Sequence, residues 1–266
     1  MREHVTPGNP DLELGSTRLD GQSADRNLSW PACYNTRDLG GLPTGDGRGT
    51  RLRAVIRSDY LNRLTNAGRQ ALLEYGVETV IDLRSPQEVT KEPAVRIEKE
   101  GRPLTYLNLP IEKYYPHVGA LIQKAESRAE VYCIILDHYP DSVAEIMRAV
   151  ANAQPGGIVI HCHGGKDRTG MVVALLLGLV GVPAEIIAAD YAASQERLWA
   201  FDEKVYAEMR AQGDTSFWWQ PTVTEEVMYR MLSHIDRQYG GVQGYLQAAG
   251  LSAEEVEQLG RRLLAR

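Results

Sequence analysis

The ten residues His161-Cys162-His163-Gly164-Gly165-Lys166-Asp167-Arg168-Thr169-Gly170 constrain this chain more than any other stretch. They stand between Gly157-Ile158-Val159-Ile160, a short β-branched run after a Gly/Pro break, and Met171-Val172-Val173-Ala174-Leu175-Leu176-Leu177, an apolar run with no period of two. The first predicts a buried strand and the second a buried helix. Cys162 then falls at the C-terminal end of a strand and Arg168 at the start of a helix. A loop closing at such a junction points successive backbone N–H groups into one concavity. The helix N-terminus adds partial positive charge, which makes an anion site suited to phosphate. Gly164 and Gly165 are expected to supply the positive φ values of such a nest.

The residue types fit one kind of chemistry. A thiol at the base of the cradle meets N–H dipoles, a helix terminus, Lys166 and Arg168, which favour the thiolate and should bring its pKa from ~8.5 into a range of roughly 3.5 to 7.5. Cys162 is then an ionised nucleophile. Arg168, five residues beyond, can grip two phosphoryl oxygens and stabilise the transition state, with His163, Gly164, Gly165 and Lys166 completing the phosphate-binding loop. The Thr169 hydroxyl is placed to donate to the same sulfur. A βα turn with an ordinary core cysteine would not explain three consecutive charges, Lys166-Asp167-Arg168.

At these residues the chain resembles the cysteine-dependent protein tyrosine phosphatase superfamily, whose loop reads His-Cys-x5-Arg-Ser/Thr, and most closely its bacterial branch with Gly-Lys-Asp-Arg-Thr-Gly. The chain departs from that branch at His163 and Gly164. Asn35-Thr36-Arg37-Asp38-Leu39-Gly40-Gly41, followed by a strand ending Arg57-Ser58, extends the likeness toward the N-terminus. The resemblance implies a three-layer α/β fold with a central, mostly parallel sheet and a helical cap. It also implies hydrolysis of phosphate monoesters through a cysteinyl-phosphate intermediate, with no metal and no cofactor. Substrates of the superfamily are phosphotyrosine in proteins, in several members phosphoserine or phosphothreonine, and phosphoinositides. Because Lys166 adds a cation, small polyanionic metabolites and nucleotide-like monoesters compete with these as substrates. The mobile Trp-Pro-Asp segment of many members is absent. Asp167, the residue matching the branch's proton donor, is therefore the first general-acid candidate and Asp82 the second, with Asp137 and Asp141 behind them. For Asp167 a purely structural ion pair with Lys166 or Arg168 is the competing reading. Three rival functions remain: a metal site on His161-x-His163, a rhodanese-type sulfurtransferase, and a phospho-ligand-binding module without turnover.

Composition narrows the partners. A net charge of −6 over 266 residues, with no basic tract, argues against nucleic acid and anionic membranes. The run after the loop is too short to span a bilayer, no secretory h-region follows Met1, and three cysteines without paired spacing form no disulfide framework. A cytoplasmic location is expected, and Cys33 and Cys133 are expected in the core.

Residues 1–28 read as a polar extension and 29–266 as a single phosphatase domain, with cap or lid helices around 111–151 and C-terminal helices over 184–266. Within it, 35–58 predicts a hairpin, Leu64-Thr65-Asn66 caps a helix through Glu74-Tyr75 that Gly76 ends, and 77–83 and 104–109 predict strands. Asp82 and Arg84 fall at a strand's C-terminal end, where open α/β sheets place ligands. Arg57 and Ser58, taken without the resemblance, are as well read as a solvated strand end. Helices are expected over 118–122, 130–151, 184–194 and 198–211. Tyr114, Tyr115, His117 and His138 are read as packing and surface residues that can also line a pocket. Trp218-Trp219 are read as anchors of the C-terminal helices or as a platform for a substrate ring.

Overall fold

The computed structural model describes residues 26–113 and 115–265; residues 1–25, Tyr114 and Arg266 lie outside it. The chain runs through strands β1 (Arg37–Asp38) and β2 (Val55–Ser58), helix α1 (Asn66–Glu74), β3 (Val77–Asp82), α2 (Pro86–Lys91), the small hairpin β4 (Glu98–Lys99) and β5 (Arg102–Pro103), and β6 (Thr105–Asn108). Helices α3 (Pro116–Lys124), α4 (Arg128–His138) and α5 (Pro140–Asn152) follow. Next come β7 (Gly157–His161), α6 (Asp167–Leu179), α7 (Ala184–Ala211), α8 (Glu225–Tyr239), α9 (Val242–Ala248) and α10 (Ala253–Leu263).

The main sheet has the order β1-β2-β7-β3-β6 and is parallel except for β1. All five residues of β7 are buried, as a central parallel strand requires, because both faces are covered. Side-chain alternation divides the core. Val55, Ile81, Ile158 and Ile160 face a thick helical layer, whereas Ile56, Val80 and Val159 face a thinner layer containing Trp30, Leu61, Leu64 and Leu72. The three-layer α/β architecture expected from the sequence is therefore present. Register decides where chemistry can sit: Ser58 pairs with His161, His161 with Asp82, and Asp82 with Asn108. Four strands thus end on one line, and the loops after them share a single edge.

Several local predictions hold in detail. Thr65 Oγ1 accepts from Gly68 N at 3.2 Å and Gly76 takes φ +93°. The structure adds a capping box that joins Ser85 to Glu88. Others are corrected. The helix expected over 130–151 breaks between Tyr139 and Pro140, because proline lacks an N–H and drives the preceding residue out of the helical region; Tyr139 has φ −123° and ψ 42°. The two helices expected over 184–211 are one, and β2 starts only at Val55 because Arg53 takes φ +60°. Arg57 and Ser58, read as a possible solvated strand end, are fully buried. Arg26 and Asn27 are docked, the first onto Asp190 at 3.0 Å and the second by a bridge to Arg37. Among the described residues no helix is long and apolar enough to cross a membrane.

Candidate active site

Cys162 follows β7 directly and is buried at the base of the loop that leads into α6. Thr169 Oγ1, in the first turn of α6, donates to Cys162 Sγ at 3.3 Å. The loop is held from outside. Asn35 Nδ2 donates to the Gly164 and Gly165 carbonyls at 3.0 and 3.1 Å, and Arg57 Nη2 donates to Gly165 O at 2.8 Å. The N–H groups of Gly165 and Lys166, on the far side of the same planar peptides, therefore face the opposite way. Gly165 has φ +61°, and a Cβ there would stand 2.2 Å from Ser58 O, so glycine is required twice over. Gly164, expected to share that role, is not in the left-handed region and has ordinary space around it.

The supports of the loop are themselves fixed. Asp190 on α7 receives Arg37 Nε at 2.8 Å, Arg57 Nη1 at 2.6 Å and Arg26 Nη2 at 3.0 Å, and Arg37 Nη1 reaches Asn35 Oδ1 at 2.6 Å. Asp190 is buried, which alone would push its carboxyl up. The surrounding guanidiniums, Arg37 first, hold it far below the usual carboxylate range. His161 is buried behind the loop, with Nδ1 3.0 Å from Cys162 O and Nε2 3.9 Å from Asp82. Burial lowers its pKa against the pull of Asp82.

Arg168 projects into a cavity of about 390 Å³ lined by Leu83, Tyr132, Ile135, Met171 and Trp218 together with Glu88, Glu112 and Asp167. Its Nη1 and Nη2 pair end-on with Glu88 at 2.6 and 2.9 Å. Burial raises the Glu88 carboxyl, but the hydrogen bonds from Arg168 outweigh it and bring it down to about 2. Asp167 Oδ1 accepts from Arg128 Nη1 at 2.6 Å and Tyr132 OH at 2.5 Å. Burial pushes this carboxyl up as well; Arg128, then Lys166 and the Tyr132 hydroxyl, hold it below its ordinary range.

The remaining predicted residues separate. Asp82 does not reach the cavity. It is fully buried and accepts from Arg84 Nη2 at 2.7 Å, Arg84 Nε at 3.0 Å and Tyr106 OH at 2.7 Å. Lys166 turns toward α7, its Nζ 2.7 Å from Asp202 Oδ2 and 3.1 Å from Tyr206 OH. His163 stacks on Tyr60 at 5.4 Å, so the rings of His161 and His163 take separate partners and do not converge on one ligand. Asp137 pairs with His234 and Tyr239. Tyr115, His117, His138 and Tyr139 pack on one another, and Tyr115 borders a neighbouring cavity of about 440 Å³. Trp218, expected as an anchor or a platform, lines the Arg168 cavity, whereas Trp219 Nε1 donates to Asp214 at 2.7 Å. Cys33 is buried as expected and Cys133 only half-buried; burial pushes their thiols up to about 12 and about 11.

Sequence reasoning missed Glu88, Arg128, Tyr132 and Asp202. Only Glu88 left a mark, as the fourth residue of a capping box, and that mark said nothing of Arg168, 80 positions away.

Comparison with known proteins agrees with this geometry. A family model described as the tyrosine phosphatase family matches residues 28–265. A tyrosine-protein phosphatase of Nostoc commune is 32% identical over 222 residues, spanning 79% of this chain and 74% of that protein. The triple specificity protein phosphatase PtpB of Mycobacterium tuberculosis is 26% identical over 273 residues, spanning 86% and 96% respectively. With the match running through both the loop and the sheet that carries it, this chain belongs to the tyrosine phosphatase family and is a phosphatase enzyme.

Proposed function

We propose that the enzyme hydrolyses aryl phosphate monoesters, phosphotyrosine in proteins above all, with Cys162 as nucleophile. The single observation that carries this reading is the pairing of a buried Cys162, hydrogen-bonded by Thr169, with Arg168 at the wall of a cavity that sets an apolar and aromatic side beside the carboxylates of Glu88, Glu112 and Asp167. The end-on pairing with Glu88 leaves Arg168 Nε and the second hydrogen of Nη2 for a phosphoryl group, in the fork geometry that an arginine offers an oxyanion. The lining of Leu83, Ile135, Met171 and Trp218 suits a phenyl ring.

In the first step Cys162 Sγ bonds to phosphorus and the P–O bond to the phenol breaks, its electron pair leaving with the oxygen and Asp167 delivering the proton. In the second, water attacks phosphorus while Asp167 takes back a proton, the P–S bond breaks, and inorganic phosphate leaves with the thiolate restored. Loop N–H groups of residues 163–166 and Arg168 stabilise the charge of both transition states. Arg128 and Lys166 favour the ionised form of Asp167, and a phosphate dianion arriving beside it raises its affinity for the proton it must donate. Residues 29–266 act as one phosphatase domain in this reading, with α4 and Trp218, from the segment between α7 and α8, walling the cleft. A thiolate nucleophile fits a reducing, cytoplasmic setting.

Phosphoinositides form the second reading, which the presence of Lys166 in the loop sequence invites and its pairing with Asp202 and Tyr206 weighs against. Turnover of a phosphotyrosine peptide, a phosphoserine peptide and a soluble phosphatidylinositol phosphate separates the two. We expect the highest kcat/KM on the phosphotyrosine peptide, and Cys162→Ser is expected to abolish turnover of all three while still binding phosphate. A Cys162→Ser enzyme that retains activity would place the chemistry elsewhere.

A further inference from the structure

The two cations of the loop are not equally available. Arg168 opens onto the cavity, whereas Lys166 is only 9% exposed and its side chain turns toward α7. An ammonium group has three donors in a compact tetrahedral head, and here the head meets Asp202 Oδ2 at 2.7 Å and Tyr206 OH at 3.1 Å. The two acceptors are tied to each other, Tyr206 OH donating to the same Asp202 oxygen at 3.0 Å, and the ammonium also lies 5.7 Å from the centre of the Tyr206 ring. Both partners come from one turn of α7, so the clamp is prebuilt by a rigid helix. On the open side of the loop the carboxylates of Glu88, Glu112 and Asp167 surround the single guanidinium of Arg168.

We infer that Asp202, oriented by Tyr206, is a specificity-determining residue: it neutralises Lys166 and holds it off the substrate, so that the loop accepts one phosphate and discriminates against a second phosphate on the same molecule. This rests on the reading of the loop as the active site and adds to it the class of substrate refused. Without Asp202 the ammonium would be a free cation beside the bound phosphoryl group, where a second anionic group finds it. With Asp202 in place, a second phosphate must compete with a carboxylate already fixed at hydrogen-bond distance and meets further carboxylates across the cleft. Asp202 touches no reacting atom and is thus a positioning residue acting through Lys166.

The test is competitive inhibition of turnover of a simple aryl phosphate by two probes, orthophosphate and pyrophosphate, in the full chain. Asp202→Asn should lower the inhibition constant of pyrophosphate about tenfold while that of orthophosphate moves by less than about threefold, the difference that one released charge makes in a partly solvated site. Tyr206→Phe should shift the ratio in the same direction by less. The double variant Asp202→Asn with Lys166→Gln should lose the gain, since the gain belongs to the ammonium. Equal shifts for both probes in Asp202→Asn, or a gain that persists in the double variant, would overturn the assignment while leaving the active site where it is. Non-competitive inhibition by orthophosphate in the unmodified enzyme would overturn both the assignment and the active-site reading beneath it.

Discussion

Asp167 occupies the position where two demands conflict. In the proposed mechanism it is the proton donor and must be protonated when the phosphoryl group departs, yet Arg128 and Lys166 favour its ionised form. Both hydrogen bonds given to it land on Oδ1, which fixes the carboxyl plane. An incoming dianion supplies the negative charge that moves the balance back toward the protonated acid. Asp82, the other candidate from the sequence, has its carboxylate shared between Arg84 and Tyr106 and no surface. An acid matters most when the departing oxygen is basic. Asp167→Asn is therefore expected to slow phosphotyrosine on the order of 10²-fold while an aryl phosphate with a strongly acidic phenol changes far less. Comparing kcat/KM across a series of phenols checks this. An equal loss on every leaving group would mean that Asp167 only shapes the loop through its ion pair with Arg128.

At the scale of elements, α2 matters more to the site than its six residues suggest. Its capping box uses Glu88 twice. Oε2 accepts from Ser85 N at 2.8 Å to close the helix start, and the same carboxylate aims the Arg168 guanidinium. A helix N-terminus thus orients the arginine of a loop in another part of the chain. The folded-state pKa of Glu88, about 2, lies below the ordinary value of 4.5. Its contribution to stability is therefore fully present above about pH 4.5 and is lost as pH falls toward 2. The stability difference between the native enzyme and Glu88→Gln, measured by denaturant unfolding, should be largest at pH 5 and above and shrink by pH 3. A difference constant across that window would remove Glu88 from the account. In the same variant kcat/KM should fall roughly tenfold to a hundredfold, because the Arg168 fork loses its orientation.

For the whole molecule, the organising contact is Asp190, where α7 meets the start of the chain and β2. Three arginines converge there, and through Arg37, Asn35 and Arg57 the same cluster holds the carbonyls of the loop. Asp190→Asn would leave the buried guanidiniums of Arg37 and Arg57 without their counter-ion, a change expected to cost about 3–5 kcal/mol in unfolding free energy. A loss below about 1 kcal/mol would show the cluster to be loosely packed. The sequence by itself determined the strand, loop and helix around Cys162, the residue types of the cradle, the cap at Thr65, and the α/β class. Each of these is written in residues a few positions apart, where periodicity, capping and charge spacing act. It misjudged 130–151, where apolar periodicity ran on through Pro140, and it left Arg57 open between a solvated end and a buried support. Only the tertiary structure decided the partners: Glu88 for Arg168 across 80 positions, Arg128 for Asp167 across 39, Asp202 for Lys166 across 36, and Asp190 for Arg37 across 153. An ion pair has no periodicity and no spacing rule. Which carboxylate meets which cation follows from strand register and helix packing, and so the availability of Lys166, though not its presence, was set by where α7 lies.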